Sequence, residues 1–278
     1  MFGTHADVNM RISFFGSARP EIVKVLNELE ARYGNCDISD AECVVAIGGD
    51  GTALRALHAA TRAAGKPVFG MRVGNSRGYL ANPVRLDGLE ARLRVATRYS
   101  FHPLRIGMED VTGLRRTLMS INDVSLVRRT RQAAKLLVAI DGTRYGAMFV
   151  GDGIVVATPL GSTAYNWSAG GPILPLQSGL LAITGIAPAY PAWAQIATED
   201  NSVIELEVVT PAWRPTRLET DVEEASDIAR ATIALARDVV CTLMFDENPL
   251  LQARPSSEIA RHGLNSRAAD RLPRPPRG

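Results

Sequence analysis

Five apolar residues, Cys43-Val44-Val45-Ala46-Ile47, run straight into Gly48-Gly49-Asp50-Gly51-Thr52, and a helical pattern starts there. An apolar run without polar alternation marks a strand covered on both faces. A strand that feeds directly into a helix belongs to a crossover unit, and such units build parallel sheets. The flanking segments repeat the theme. Met10 to Phe15 reads as a strand, and Pro20 opens a helix in which Ile22, Val25, Leu26 and Leu29 recur at helical spacing up to Gly34. Thr52 to Ala64 reads as the next helix and Pro67 to Met71 as the next strand.

From about Phe101 the pattern changes to short β-rich runs: Leu118 to Val127, Lys135 to Ile140, Gly153 to Ala157, Val203 to Val209 and Val239 to Phe245. Turn dipeptides such as Asp141-Gly142 separate some of them, as in hairpins. The fold class expected is therefore α/β, with an N-terminal parallel α/β domain and a β-rich C-terminal domain. Its parts are residues 1–100, completed by about 246–260, then 101–245, then a tail at 261–278 whose five arginines and three prolines bury little and favour disorder. The active site is expected in the cleft between the two domains.

Composition narrows the function classes. A net charge of +2 supplies no electrostatic reason to bind nucleic acid. Three cysteines without CxxC spacing argue against a disulfide framework or a zinc site and suit a reducing, cytoplasmic setting. The uncharged stretch Gly153 to Thr198 is broken by Pro159, Pro172, Pro175, Pro188 and Pro191. It therefore reads as sheet, turns and a subunit interface, with no membrane span.

Chemistry concentrates at Gly48 to Thr52. Ligands of open α/β sheets sit at the carboxyl ends of strands. Glycines there let backbone approach a polyphosphate, and free N–H groups at a helix start attract anions. A carboxylate in that setting is unfavourable unless it meets a metal ion or accepts a proton from an attacking hydroxyl, which is the role Asp50 suggests. The plainer alternative makes Asp50 the helix N-cap. Neither GxxxxGK[ST] nor GxGxxG occurs, which removes the P-loop and dinucleotide-fingerprint readings. Two further signals are the Gly151 to Pro172 stretch, with glycines, small hydroxyl residues and Tyr165, and the adjacent polar pair Asn122-Asp123 between Ile121 and Val124. Adjacent side chains in a strand point to opposite faces, so one of that pair meets water or ligand.

Taken together, GGDGT at 48–52, the Asn122-Asp123 pair and DGIVVATPLGSTAYNWSAGGPILP from Asp152 resemble the NAD kinase family (ATP/polyphosphate-NAD kinases) in order and spacing. Asn122 to Leu136 is similar to alphaproteobacterial members. The resemblance implies transfer of the γ-phosphoryl of ATP to the 2′-hydroxyl of the NAD adenosine ribose, giving NADP. It implies Asp50 as proton acceptor near a magnesium ion held through the phosphates. Gly48, Gly49, Gly51, Thr52 and Arg55 match phosphate- or dinucleotide-contacting positions. Asn122, Asp123 and Asp152 match residues that hold base and ribose hydroxyls. Thr163, Ala164, Tyr165 and Ser168 match the nucleoside-pocket wall, and Asp221 matches a further acidic position by the nucleotide. The partners implied are NAD and ATP, in a homodimer or homotetramer.

The chain also departs from the family pattern. Arg72 stands where Asn is usual, Arg77 where an apolar residue is common, Leu160 at an often small or polar site, and Val222 where His is frequent. Ala187 to Thr198 lacks the basic residues or His often found there. These differences leave open a diverged paralogue acting on another nucleoside or nucleotide, or a silent dinucleotide-binding protein. Arg72 and Arg77 would either contact an anionic ligand beside the GGDGT turn or point into solvent. His58, one turn beyond Arg55, reads as structural or as close to the donor. The carboxylates Glu219, Asp221, Glu223, Glu224 and Asp227 read as a solvated turn.

The tail reading makes a prediction. Deleting residues 262–278 is expected to leave melting temperature and turnover unchanged, because an Arg/Pro-rich end contributes little buried apolar surface. A calorimetric scan and a rate assay of the truncated chain check it.

Overall fold

The computed structural model describes residues 10–246, except 64, 75–77, 190–192 and 194. The chain opens with β1 (Ile12–Gly16), α1 (Pro20–Tyr33), β2 (Cys43–Gly48), α2 (Asp50–Arg62) and β3 (Val68–Arg72). β4 (Asn82–Pro83), α3 (Leu89–Val95) and β5 (Thr97–Phe101) follow. β1, β2 and β3 lie side by side in parallel register, and β4 pairs parallel with β3.

The apolar run at Cys43–Ile47 is explained by what covers it. On one sheet face Ile22 and Leu29 of α1 and Leu89 and Leu93 of α3 pack with Val45, Ile47, Phe69 and Met71. On the other face Ala53, Ala56, Leu57 and Ala60 of α2 pack with Val44, Ala46 and Val68. Full burial of a side chain such as Leu57 contributes about 1.5–3 kcal/mol. Ile121 and Leu160, from the β-rich half, join that second cluster, so α2 is the element shared by both halves.

The β-rich half consists of two antiparallel sheets packed face to face. One holds strands Leu104–Asp110, Arg115–Ser120, Ala134–Ile140, Ile204–Val208 and Ile228–Leu235, with two short additions. The other runs in the order Ile196–Glu199, Leu180–Ile186, Gly153–Ala157, Asp123–Arg128, Thr216–Glu219, Glu224–Ser226. Their inner faces, including Ile106, Leu118, Val124, Leu126, Val138, Val156, Ile183, Leu206 and Ile233, form one core. Asp141 and Gly142 both take positive φ (51° and 74°) in a two-residue hairpin, as the Asp-Gly dipeptide signals.

Two expectations are corrected. The Leu118–Val127 run is not one strand: Arg115–Ser120 lies in the first sandwich sheet and Asp123–Arg128 in the second. The chain changes sheet at Ile121-Asn122, and its apolar pattern continues because Leu118, Ile121 and Val124 are buried on both sides of the crossing. The Val239–Phe245 run does not belong to the β-rich half. Cys241–Phe245 pairs parallel with β3 and antiparallel with β5, completing the first sheet. Residues 247–260, assigned from sequence to that completion, and the 261–278 tail lie outside the described residues.

Asn82 fixes the join. It is buried, its Nδ2 donates to the carbonyls of Gly70 (2.9 Å) and Met244 (3.2 Å), and its Oδ1 accepts the amide of Asp246 (2.9 Å). Asn82→Ala strands those buried groups and is expected to cost about 1–3 kcal/mol for each one left unsatisfied. Urea unfolding with an unchanged m-value is the check.

Candidate active site

β2 delivers its last residue, Gly48, to the carboxyl edge of the sheet, where Gly49 is the N-cap of α2. Asp50 is the first helical residue, so the N-cap alternative fails: the cap position belongs to a glycine that has no side chain to offer. The Asp50 carboxylate instead accepts the backbone amides of Tyr79 (2.6 Å) and Leu80 (3.0 Å), which arrive from beyond β3. Gly51 is exposed, Thr52 is buried, and exposed Arg55 reaches back to the Thr52 hydroxyl at 3.5 Å. α2 therefore presents free amides and one carboxylate at the sheet edge, an arrangement that suits an anionic group brought close to Asp50.

The second part of the site hangs on Asp221. Its side chain is only 3% exposed and accepts the amides of Ile121 and Asn122, the latter at 3.2 Å. It also meets His58 Nε2 of α2 at 3.0 Å. Asp221 turns inward, pinning the sheet crossing and tying it to the GGDGT helix. Its neighbours in the acidic cluster take surface partners: Glu223 with Arg62 and Arg116, Asp227 with Arg129, and Glu219 and Glu224 with Arg217.

With the crossing fixed, Asn122 and Asp123 emerge together. Asn122 carries a buried Oδ1 that lacks any hydrogen-bond partner. Asp123 begins its strand opposite Ala157, and its carboxyl is pushed up to about 7, first by burial and then by the charge of Asp221. The Tyr165 amide donates to it and pulls the other way. A carboxyl poised near neutrality and, one residue before it, an unpaired amide oxygen are each able to exchange hydrogen bonds with a ligand.

The Gly151 to Pro172 stretch wraps this pair. The buried Thr158 hydroxyl donates to the Ile121 and Asn122 carbonyls (2.9 and 3.1 Å). The 3-10 turn Gly161–Thr163 then lies on the Asn122 backbone so closely that a Cβ at Gly161 would overlap it. Ala164 closes the turn on the Gly161 carbonyl at 2.8 Å. Tyr165 opens a short helix ending at Ser168, with Tyr165 39% exposed and Ser168 exposed. Fully buried Asn166 holds the turn: its Nδ2 donates to the Ser162 and Pro172 carbonyls, and its Oδ1 accepts the Thr184 hydroxyl at 2.7 Å.

Asp152 lies beyond the other end of this strand pair. Ala157 pairs with Asp123 and the Asp152 carbonyl accepts the Arg128 amide, so five residue steps separate Asp123 from Arg128, about 17 Å along the strand. Asp152 holds Arg128 through Nε (2.5 Å) and Nη2 (3.2 Å). Burial first, then the charges of Glu219, Asp123 and Asp152, raise the Tyr165 phenol. Glu219 pairs in register with Ser125, whose hydroxyl lies 3.4 Å from its carboxylate, a meeting that the sequence reading did not single out. The period-two alternation of Asp123, Ser125 and Val127 was the available signal for that face.

Arg72 does not point freely into solvent: its Nη2 donates to the carbonyls of Gly78 and Ala81, and its buried Nε has no hydrogen-bond partner among the described residues. Arg77 lies outside the described residues. Leu160 is buried in the core shared with α2. Among the described residues no three His, Cys, Asp or Glu side chains form a metal cage, and no helix is long and apolar enough to cross a membrane. A lone carboxylate with lone pairs to spare at Asp50 fits a divalent cation carried in by phosphates rather than one held by protein alone.

The sequence was compared with known proteins. Residues 16–94 match the ATP-NAD kinase N-terminal domain and residues 121–233 the ATP-NAD kinase C-terminal domain. An NAD kinase of Zymomonas mobilis is 40% identical over 250 residues, spanning 89% of this chain and 96% of that one. An NAD kinase of Xylella fastidiosa (strain Temecula1) is 41% identical over 249 residues, spanning 89% and 95%. Among solved structures, yeast NADH kinase complexed with NADH superposes with a TM-score of 0.77 at 16% identity, over 91% of this chain and 87% of that chain. An NAD kinase from Archaeoglobus fulgidus in complex with ATP gives 0.72 at 19% identity, over 90% and 99%. At those identities the structures establish the fold alone, whereas the sequence relatives cover nearly the whole chain. The chain belongs to the NAD kinase family and is a phosphotransferase acting on a hydroxyl group of NAD.

Proposed function

We propose that the protein transfers the γ-phosphoryl of ATP to the 2′-hydroxyl of the NAD adenosine ribose, with Asp50 taking the hydroxyl proton as the oxygen attacks phosphorus and ADP departs. The observation that carries this reading is the pairing of two unlike seats on one shared helix. α2 opens with Asp50 among free amides, and through His58 it grips the crossing that presents Asn122 and Asp123. Phosphoryl transfer needs positioning and charge neutralisation more than covalent chemistry, and these seats supply positioning.

The roles follow from the chemistry of each group. Asn122 Oδ1, buried and unpaired, accepts from an exocyclic amino group of the base. Asp123 receives a ribose hydroxyl, and Tyr165 packs alongside the nucleoside. Thr163, Ala164 and Ser168 wall the pocket, while Gly48, Gly49, Gly51, Thr52 and Arg55 attend the phosphates at the start of α2. Asp152 and its partner Arg128 meet the far half of the dinucleotide, about 17 Å along the strand. A divalent cation such as magnesium, brought by the phosphates to Asp50, would neutralise charge building on the transferred group. Homo-oligomeric assembly fits the exposed ends of this acceptor track, which a second subunit would close.

Two measurements test these assignments. Asp50→Asn is expected to lower kcat by about 10²–10⁴-fold with little change in NAD affinity, the usual loss when a general base is removed. Near-parent turnover in that variant removes Asp50 from the chemistry.

The second concerns pH. Because the Asp123 carboxyl titrates near 7 in the folded chain, its ionised, hydrogen-bond-accepting form is filled as pH rises from 6 to 8. NAD affinity, read by calorimetry at a fixed salt concentration, is expected to rise over that window and to lose the dependence in Asp123→Asn. Stability runs the other way. A carboxyl whose folded pKa lies above its unfolded one costs stability progressively as pH climbs from about 4 to 7, so Asp123→Asn should gain on the parent over that range. A flat affinity profile in the parent protein refutes the assignment.

A further inference from the structure

We propose that Arg72 is a positioning residue for Asp50, acting through the Gly78–Ala81 segment. This rests on the reading of Asp50 as proton acceptor given above. Arg72 is the last residue of β3 and pairs with Gly48, so its backbone stands beside the glycine turn that launches α2. Its side chain does not reach for phosphate. Nη2 donates to the Gly78 carbonyl and, at 3.1 Å, to the Ala81 carbonyl, so a single guanidinium nitrogen bridges both ends of a four-residue segment.

The two residues inside that segment are the ones that hold Asp50. Tyr79 donates its amide to Asp50 Oδ2 at 2.6 Å and Leu80 to Oδ1 at 3.0 Å. One donor on each oxygen fixes the rotation of the carboxylate as well as its place. Gly78 presses so closely on the carboxyl group that any Cβ there would overlap it, with no room for the carboxylate to turn toward the segment. The path is therefore continuous: Arg72 to two carbonyls, the peptide units between them to two amides, and those amides to both oxygens of Asp50.

Arginine suits this task for a physical reason. A planar cation with fixed donors holds two carbonyls at a set separation, and charge-assisted bonds are stronger than neutral ones. Arg72 thus acts on the reaction without touching substrate, and its charge is spent on the loop rather than on selecting an anionic acceptor.

The test is a double-mutant cycle on turnover. Arg72→Ala is expected to lower kcat about 10-fold or more, since a small misplacement of a reacting group carries losses of that order, with ATP and NAD affinities within about two-fold of the parent. In the Asp50→Asn background the same change is expected to cost less than about two-fold, because the carboxylate it positions is gone. Millimolar guanidinium should restore part of the turnover of Arg72→Ala and none of Asp50→Asn. Losses that multiply across the cycle, or full turnover in Arg72→Ala beside a crippled Asp50→Asn, overturn the proposal while leaving Asp50 in its role. A fully active Asp50→Asn removes the underlying reading as well. If Arg72→Ala does not fold, Arg72→Lys takes its place: it keeps the charge but not the planar fork, and parent-like kcat in it counts against the proposal.

Discussion

The architecture turns on one buried carboxylate. Asp221 sits where the chain passes from one sandwich sheet to the other, accepts two consecutive backbone amides, and meets an imidazole from the helix that follows the glycine loop. A carboxyl buried this deeply needs partners, here two amides and an imidazole, and removing one partner of such a group typically costs about 3–5 kcal/mol. The same interaction therefore fixes the crossing next to Asn122 and Asp123 and ties it to the middle of α2.

Apolar packing reinforces that tie. Ile121, next to the crossing, and Leu160, at the entry to the small-residue loop, are buried against Ala53, Ala56 and Leu57 of α2. The helix thus has polar contacts at its start, a buried hydrogen bond from His58 to Asp221 in its middle and an apolar stripe facing the β-rich half. Closing the first sheet with Cys241–Phe245 returns the chain from the sandwich to the α/β half, so the two halves are joined at two places in sequence. A cleft between elements held in this way presents preorganised groups, as transfer between two bound nucleotides requires.

Electrostatics then divides the labour among carboxylates of one chemical type. Asp50 is held by two amides at an exposed helix start, Asp123 is desolvated beside another negative charge and titrates near neutrality, and Asp152 is bound to an arginine. Glu219 and Glu223 stay at the surface with arginine partners. Environment, not residue identity, separates these roles.

Much of this was legible in the sequence because it depends on local pattern. The apolar Cys43–Ile47 run, the glycine turn and the helical spacing of Ala53, Ala56, Leu57 and Ala60 specify a buried strand, a turn and a helix by steric and hydrophobic rules that act within a few residues. The Asp-Gly hairpin and the alternation in the β-rich half are local in the same sense. The motifs at 48–52, 122–123 and 152–172 stood out as segments because glycines and polar residues interrupt apolar runs there. What sequence left undecided is which groups meet across long separations. Asp221 stood in an acidic cluster and gained only a place near a nucleotide from the family resemblance, Arg72 read as an anion contact or a solvent-facing cation, and Cys241–Phe245 looked like one more strand of the sandwich. Only the tertiary structure buries the first against residues 58 and 121–122, folds the second onto residues 78 and 81, and carries the third back beside Val68. Burial, pairing and the pKa shifts they cause are properties of neighbours brought together by the whole fold, and no local pattern encodes them.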